Sequence, residues 1–167
     1  MINCKHSLKI KKISSAKDKD FSHLQQIYEK EFAPITSYKV NQDGLFDQDF
    51  LISTWSKHGY EIYLLEIKEE AVGFAVVNLA SMIDLDTNTR DIAEFFVIPQ
   101  LRNQRIGSKF AQEIFKLYPG QWEVRQLESL TKARKFWLRA IQNINPKNFC
   151  EENNNPKWQG YLQKFTI

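Results

Sequence analysis

The chain has 167 residues, 43% of them hydrophobic and 26% charged, a composition that suits one soluble domain with a core large enough to be stable unaided. The formal net charge of +3 is too small to indicate a nucleic-acid partner, which usually needs a concentrated basic stripe. No window approaches the roughly 18 apolar residues of a membrane span, and the first residues lack the apolar segment of a signal peptide. We expect a single domain over residues 1–167 that is cytoplasmic and binds neither nucleic acid nor membrane.

Cysteines and histidines give no sign of a metal centre. Cys4 and Cys150 lie far apart, outside any paired motif, so neither a disulfide framework nor a zinc site is expected. His6, His23 and His58 are scattered and form no triad with a serine and a carboxylate. We therefore predict no metal ion.

The first elements are predicted from apolar spacing. Leu8, Ile10 and Ile13 interrupt the lysine-rich opening, a pattern that indicates an edge strand guarded by lysines. Asp18 or Asp20 can cap the helix that follows. The apolar face of that helix comprises Phe21, Leu24, Ile27, Tyr28 and Phe32.

A loop around Pro34 is predicted to lead to a short helical segment at residues 48–56. Two β-rich runs follow, at residues 61–67 and 71–77, with the charged residues 68–70 between them. Apolar, β-branched runs on either side of a short charged turn predict a hairpin.

The strongest signal lies in residues 91–118. A strand-type run, Asp91–Val97, stops near Pro99, which cannot donate to a central ladder. From Ile106 to Tyr118 the apolar residues recur at helical spacing. Because the first turn of a helix has unpaired N–H groups and the positive end of the dipole, the intervening loop is predicted to bind a phosphate.

The composition of this loop supports that interpretation. Arg102, Arg105 and Lys109 add positive charge, and Gly107 removes a side chain that would obstruct the approach of a ligand. The alternative is an ordinary solvated helix start. The single glycine excludes both a nucleotide-binding P-loop and a three-glycine dinucleotide pattern.

The C-terminal part is predicted to contain a strand, a helix and a last strand. The strand at residues 121–127 places Trp122, Val124 and Gln126 on one face, and Ser129 can cap the helix after it. That helix has its apolar residues at Leu130, Ala133, Phe136, Trp137, Ala140, Ile141 and Ile144. Residues 145–159, with the polar run 151–155, are predicted to form a loop before a strand at Gly160–Thr166.

The segment Phe96-Val97-Ile98-Pro99-x-x-Arg102-x-x-x-x-Gly107 resembles the acyl-coenzyme A signature of the GNAT superfamily of N-acetyltransferases, which reads Arg or Gln, two residues, Gly, one residue, then Gly or Ala. Arg105 stands at the position of the first glycine. The order of elements is also similar, and Trp122–Arg125 with Phe136-Trp137 resembles a poorly characterised branch of predicted acetyltransferases. The resemblance implies an α/β fold with a mixed, mostly antiparallel sheet of about six to seven strands and about four helices.

The resemblance also implies a donor and its binding residues. In the family the strand binds the pantetheine arm of acetyl-coenzyme A, the loop amides hold the pyrophosphate, and a backbone N–H on the strand faces the thioester oxygen. That donor corresponds here to Val97 or its neighbour Phe96. The predicted cofactor-binding residues are Phe95, Phe96, Val97, Arg102, Asn103, Gln104, Arg105, Ile106, Gly107, Ser108, Ser129 and Trp137.

Glu94 is the predicted general base, because a carboxylate beside two phenylalanines is partly desolvated and its pKa raised. The alternative is a surface carboxylate or a partner of a nearby lysine, and Asp91 and Glu123 are the other candidate bases.

No general acid is assigned. Many family members place a tyrosine that protonates the departing sulfur, whereas Trp137 and Leu130 occupy the corresponding positions here. Indole N–H does not titrate as an acid. Either the thiolate leaves unassisted, since thiols of this kind ionise near about pH 8.5, or Tyr118 or Tyr161 reaches the site.

The resemblance therefore implies transfer of acetyl from acetyl-coenzyme A to a primary amine of an unidentified small molecule or peptide, by a monomer or homodimer. The acceptor is expected near residues 33–48 and the hairpin at residues 66–72. Tyr38, Phe46 and Trp55 form either its aromatic walls or part of the core. The alternative function is a non-catalytic acyl-coenzyme A binding or regulatory module with the same fold.

Overall fold

The computed structural model describes residues 7–167, so Cys4 and His6 lie outside the described residues. The strands are β1 (Leu8–Ile13), β2 (Tyr60–Ile67), β3 (Glu70–Asn78), β4 (Thr89–Val97), β5 (Gln121–Leu127), β6 (Lys147–Asn155) and β7 (Trp158–Thr166). The helices are α1 (Lys19–Thr36), α2 (Gln48–Ser53), α3 (Ile106–Leu117) and α4 (Thr131–Gln142), with a 3-10 turn at Pro99–Leu101.

The strands form one sheet in the order β1-β2-β3-β4-β5-β7-β6. Among residues 7–167, β4 and β5 pair in parallel, and the other neighbouring strands pair antiparallel. The mixed, mostly antiparallel α/β architecture predicted from the sequence is confirmed. β1 lies at one edge of the sheet, as its lysines indicated.

Strand β6 corrects the prediction of a loop over residues 145–159. It pairs with β7 along its length, but the register shifts between Lys147 and Cys150 and again between Asn153 and Asn155. Asn148 and Asn154 have positive φ angles of 51° and 63°. Because these irregularities break the alternation of side chains, and an edge strand needs no continuous apolar face, the polar sequence gave no strand signal.

Helix α1 is capped by Asp18, whose carboxylate accepts hydrogen bonds from the N–H groups of Asp20 (3.0 Å) and Phe21 (3.2 Å). The helix continues through Pro34, so the predicted loop around this residue is wrong. A proline in the last turn removes only one helical hydrogen bond. The helix ends where Ser37 adopts a left-handed conformation (φ 57°).

Ser129 does not cap α4. The N-cap is Leu130, which makes no side-chain capping hydrogen bond, and its N–H donates to the carbonyl oxygen of Leu127 (2.9 Å). The turn after β5 therefore uses a backbone hydrogen bond, which no residue preference in the sequence predicts. None of the helices within residues 7–167 is long and apolar enough to cross a membrane.

The sheet separates two hydrophobic cores. The α1–α2 side contains the fully or almost fully buried Phe21, Leu24, Leu64, Phe74 and Phe96. The α3–α4 side contains the fully or almost fully buried Leu65, Phe110, Ile114, Trp122 and Ile141. Because both faces of β4 are covered, side chains on neighbouring positions of this strand enter different environments.

A β-bulge in β4 changes which side chains share a face. The register against β3 shifts between Val76 and Val77, so Ala93 is an extra residue on β4. Asp91 and Glu94, three positions apart, would face opposite sides of a regular strand. The bulge places both on the α1–α2 side.

We expect Gly160→Ala to destabilise the protein by about 3 kcal/mol or more. Gly160 has a φ of 140°, and a Cβ there would lie 2.2 Å from the carbonyl oxygen of Gln126. Gly44 is a matched control because its φ is 73° but nothing lies within 4 Å of an added Cβ. Gly44→Ala should cost only about 1 kcal/mol. Urea unfolding checks this, and equal losses in both variants would contradict the clash.

Candidate active site

Strands β4 and β5 separate halfway along their length. They pair from Thr89 and Gln121 as far as Ile92 and Val124. Beyond this point β4 continues to Val97 and β5 to Leu127 without further pairing between them. The result is a wedge-shaped opening between two parallel strands, with backbone groups of β4 along one side.

The direction of these backbone groups follows from the pairing of β4 with β3. Ile98 N–H donates to the carbonyl oxygen of Val72 (3.0 Å), and in an antiparallel ladder such pairs alternate. Phe96 therefore directs its N–H to β3, while Phe95 and Val97 direct theirs to the opening. Of the two predicted oxyanion donors, this geometry favours Val97 over Phe96.

The loop after β4 has the backbone conformation that glycine adopts most easily. Asn103 and Arg105 have φ angles of 62° and 63°, in the left-handed region. Arg105, at the position of the family's first glycine, is exposed, so its main chain adopts the required conformation while its side chain meets solvent. It is also the N-cap of α3, whose first turn has no side-chain cap among the described residues.

Gly107 lies where α3 approaches α4. A Cβ at this position would lie 3.3 Å from the ring of Phe136 and 3.9 Å from that of Phe95. The missing side chain thus permits close packing of α3 against α4. The composition of the loop indicated a different role for Gly107, the close approach of a ligand. Trp137 is 5% exposed, with its ring centroid 4.9 Å from that of Phe95, and so belongs to the core beneath the opening.

Arg102 links the loop to helix α1. Its Nε donates to the carbonyl oxygen of Val97 (2.8 Å), and its Nη2 donates to both carboxylate oxygens of Glu31 (2.9 and 3.0 Å). The guanidinium also lies 5.4 Å from the ring centroid of Phe96. Arg102 therefore holds the end of β4 against α1, which differs from a side chain extended toward a phosphate.

The remaining predicted cofactor residues lie around the open end of the wedge. Asn103 and Gln104 are exposed, and Gln104 Nε2 donates to the carbonyl oxygen of Gln100 (3.0 Å). Ile106 and Ser108 are partly buried in the first turn of α3. Ser129 is exposed, just after the end of β5.

Glu94 lies on the α1–α2 side of β4 and is partly buried. The Tyr28 hydroxyl donates to its Oε2 (2.5 Å). Burial raises the pKa of Glu94 to about 7, against the smaller lowering by the Tyr28 hydrogen bond and Trp55. No lysine forms an ion pair with Glu94 within residues 7–167, so the alternative of a lysine-paired surface carboxylate does not describe it.

The other two candidate bases are held by structural partners. Asp91 is fully buried, accepts two hydrogen bonds from Arg125 (2.9 and 3.0 Å) and accepts a third from Asn78 (2.8 Å). Glu123 is fully buried and accepts from Ser81 Oγ (2.7 Å) and the N–H of Met82 (2.5 Å). With their oxygens occupied, neither carboxylate is placed to take a proton from a ligand.

The tyrosines considered as acids lie in other surroundings. The Tyr118 hydroxyl bonds to the Glu61 carboxylate and Tyr63, and burial raises its pKa to about 12. The Arg134 guanidinium lies 4.0 Å from the ring centroid of Tyr161. Leu130 is partly buried beside Ser129. No group with the properties of a general acid is therefore identified.

Of the three aromatic residues expected near the acceptor, Phe46 (6% exposed) and Trp55 (4%) are core residues. Tyr38 is half-buried, and the charges of Glu29 and Glu94 add to burial in raising its pKa. Together with Phe46, it also lines a cavity of about 250 Å³ formed by the loop after α1 and by α2. A larger cavity, of about 430 Å³, lies beside β1 and β2 and contains none of the predicted site residues.

The sequence analysis missed Glu29 and the role of Tyr28. Glu29 is 3% exposed on the face of α1 that covers Glu94. Gln25, which precedes it by four positions, is 2% exposed. The sequence did contain a signal, since two polar residues four positions apart lie beside the apolar stripe of α1. Polar side chains buried on a core-facing helix need partners across the interface, so this spacing indicates a polar site.

Comparison with known proteins identifies the class. A GNAT-family acetyltransferase from Staphylococcus aureus Mu50 has a TM-score of 0.60 at 14% identity, with 96% of this chain and 99% of that chain covered. PaiA N-acetyltransferase from Thermoplasma acidophilum, solved with coenzyme A, has a TM-score of 0.64 at 11% identity, covering 96% and 99%. Ribosomal-protein-S18-alanine N-acetyltransferase from Escherichia coli has a TM-score of 0.55 at 10% identity, with 96% of this chain and 93% of that chain covered.

The fold is thus that of the acyl-coenzyme A N-acyltransferases. A search of curated proteins by sequence finds no match. The family model described as "Acetyltransferase (GNAT) family" matches residues 21–141, which include β4, the loop and α3. The chain belongs to the GNAT acetyltransferase family, which implies acyl transfer from a coenzyme A donor.

We expect the stability of the protein to increase on acidification from pH 8 to pH 5, and Glu94→Gln to reduce this increase. Folding raises the pKa of Glu94 from 4.5 to about 7. The protonated carboxyl group therefore stabilises the folded state fully below pH 4.5, and this stabilisation is lost as pH rises through about 7. Glu94→Gln should raise the free energy of unfolding by about 1–3 kcal/mol at pH 8 and much less at pH 5. Glu113→Gln, on the exposed side of α3, is the control. Equal pH dependence in wild type and Glu94→Gln, by urea unfolding, would count against this pKa.

Proposed function

We propose that this protein is an N-acetyltransferase that transfers the acetyl group of acetyl-coenzyme A directly to a primary amine of a small molecule or peptide. One observation carries the proposal: a single strand, β4, presents the N–H of Val97 to the opening between strands and a carboxylate of near-neutral pKa, Glu94, to the opposite side. A donor and an acceptor would then meet at this strand.

The donor side of β4 supplies backbone hydrogen bonds. The N–H groups of Phe95 and Val97 face the opening, where the amide groups of the pantetheine arm would take the place of the missing strand. The uncapped first turn of α3 and the Asn103–Ser108 loop supply N–H groups and positive charge for the pyrophosphate. Ser129 lies at the rim of the opening, and Trp137 supports its floor.

The acceptor side supplies the base. As the amine nitrogen forms its bond to the acetyl carbon and the carbon–sulfur bond breaks, one proton leaves nitrogen and the bonding electrons go to sulfur. Glu94 is proposed to take that proton, since a base with a pKa near the working pH transfers protons efficiently. Val97 N–H is proposed to stabilise the negative charge that develops on the carbonyl oxygen.

The alternative is a non-catalytic acyl-coenzyme A binding module of the same fold. It is favoured by Trp137 and Leu130 at the positions that many family members use for a tyrosine acid, since Trp137 packs in the apolar core and the side chain of Leu130 is aliphatic. The two functions share the donor side of β4 and differ in the use of Glu94. Binding and turnover therefore have to be measured separately.

We expect micromolar binding of acetyl-coenzyme A that weakens about tenfold or more in Arg105→Glu, because the exposed side chain would then repel the pyrophosphate. This position is preferable to Gly107, where any side chain would meet Phe136. Arg139→Glu makes the same charge change on the exposed side of α4 and should bind normally. Calorimetric titration measures all three. If wild type does not bind, or if Arg105→Glu binds as wild type does, the proposed donor loop is wrong.

We expect Glu94→Gln to lower kcat/KM for acetylation of primary amines about 10²- to 10⁴-fold while binding acetyl-coenzyme A normally. The wild-type rate should rise as pH increases through about 7, the folded pKa of Glu94, and the variant should lack this rise. The measurement is the rate at which free coenzyme A thiol is released in the presence of a panel of primary amines. Binding without turnover by wild type would establish the non-catalytic module instead.

A further inference from the structure

Glu29 is a buried carboxyl group without a partner. Only 3% of the residue is exposed, yet its side chain makes no hydrogen bond or ion pair with any residue in the described range 7–167. Burial, then the charge of Glu94, raises its pKa to about 8. The carboxylate oxygens of Glu29 are not among the buried polar atoms that lack a partner, so this carboxyl group keeps enough access to meet a ligand.

A second unpaired polar group lies in the same place. Trp55 is 4% exposed, and its indole N–H makes no hydrogen bond of ordinary geometry within residues 7–167. It is nevertheless close enough to Glu94 to favour the ionised carboxylate. The Trp55 indole N–H and the Glu29 carboxyl group thus border the same base, on the side of β4 opposite the proposed donor.

The cations near this cluster are already neutralised. Arg125, which acts on Glu94 through its charge, is held in a bidentate ion pair with Asp91. The other ionisable groups that interact with Glu29 and Glu94 are Asp91 and the phenols of Tyr28 and Tyr38. At a pH above the raised pKa values of Glu29 and Glu94, the cluster has negative charge and aromatic rings, and the one cation that acts on it within residues 7–167 is already paired, which suits an ammonium group.

A cavity shares Tyr38 with this cluster. The charges of both carboxyl groups help to raise the pKa of Tyr38, which also lines the cavity of about 250 Å³ together with the half-exposed Phe50, Lys39 and Asp47. The ring centroids of Tyr38 and Phe50 are 5.4 Å apart. An acceptor with an apolar part in this cavity would place a terminal ammonium beside Glu29 and Glu94.

We propose that Glu29 is a second acceptor-recognition carboxylate, and that Glu29 and Glu94 together select cationic primary amines that carry no carboxylate next to the reacting nitrogen. This inference rests on the proposed function. The pair attracts the ammonium group and receives the proton that must leave before nitrogen can attack. A free α-amino acid would bring its own carboxylate within a few ångströms of the pair, where the guanidinium of Arg125 is already paired with Asp91. Lys39, the cation that lines the cavity, is exposed to solvent.

The test compares alaninamide with alanine as acetyl acceptors. Above pH 8, where both carboxyl groups are ionised, we expect wild type to prefer alaninamide about 100-fold in kcat/KM, the size of like-charge repulsion at this range. Glu29→Gln should reduce the preference about tenfold, mainly through KM, whereas Glu29→Asp should retain it and Glu113→Gln should leave it unchanged. The intrinsic difference in basicity between the two amines cancels when the same ratio is compared between variants.

A wild type without preference for alaninamide, or an unchanged ratio in Glu29→Gln, would overturn the inference while leaving the acetyltransferase function in place. If acetyl-coenzyme A binds but no amine is acetylated, the proposed function fails, and binding decides the role of Glu29. Titration of the coenzyme A-saturated protein with butylammonium should then give binding that Glu29→Gln weakens about tenfold, with butyrate as a negative control. Equal or absent butylammonium binding in wild type and variant would overturn the inference.

Discussion

The separation of β4 from β5 is the constraint on which the rest of the site depends. Backbone N–H groups in a half-buried position cost free energy when they have no partner, and in β4 those of Phe95 and Val97 face a gap where a strand would otherwise pair. The gap persists because both faces of β4 are filled independently. Phe95 packs against Trp137 on one side, and Phe96 packs against Phe74 on the other. The gap therefore does not leave β4 without packing, and the unpaired edge of this strand remains open.

The bulge at Ala93 gives two neighbouring acids different chemistry on one surface. Asp91 is neutralised by Arg125, so its charge contributes to the structure and is unavailable. Glu94 receives a hydrogen bond from the neutral Tyr28 hydroxyl, and burial then dominates its pKa. Of these two acids, Asp91 is therefore held in an ion pair, whereas Glu94 has no ion pair within residues 7–167 and burial raises its pKa to about 7.

Features that depend on local sequence pattern were predicted correctly, whereas features that depend on contacts between distant parts of the chain were missed. The strands with regular apolar alternation, helix α3 and the family resemblance depend on local pattern, and the fold and family are confirmed. Strand β6 was missed because its pairing with β7 is irregular and its outer edge needs no apolar residues. Glu29 was missed because its environment depends on a strand 65 positions further along the chain. The roles of Glu94, Val97 and the loop residues stay predictions.

The guanidinium of Arg102 has a mechanical consequence. It joins the carbonyl oxygen of Val97 to the carboxylate of Glu31, and Glu31 lies on the same helix as Glu29, two positions further on. The end of β4 and helix α1 are therefore not free to shift separately. A displacement of the loop after β4 would be transmitted to α1, and with it to the position of Glu29 relative to Glu94.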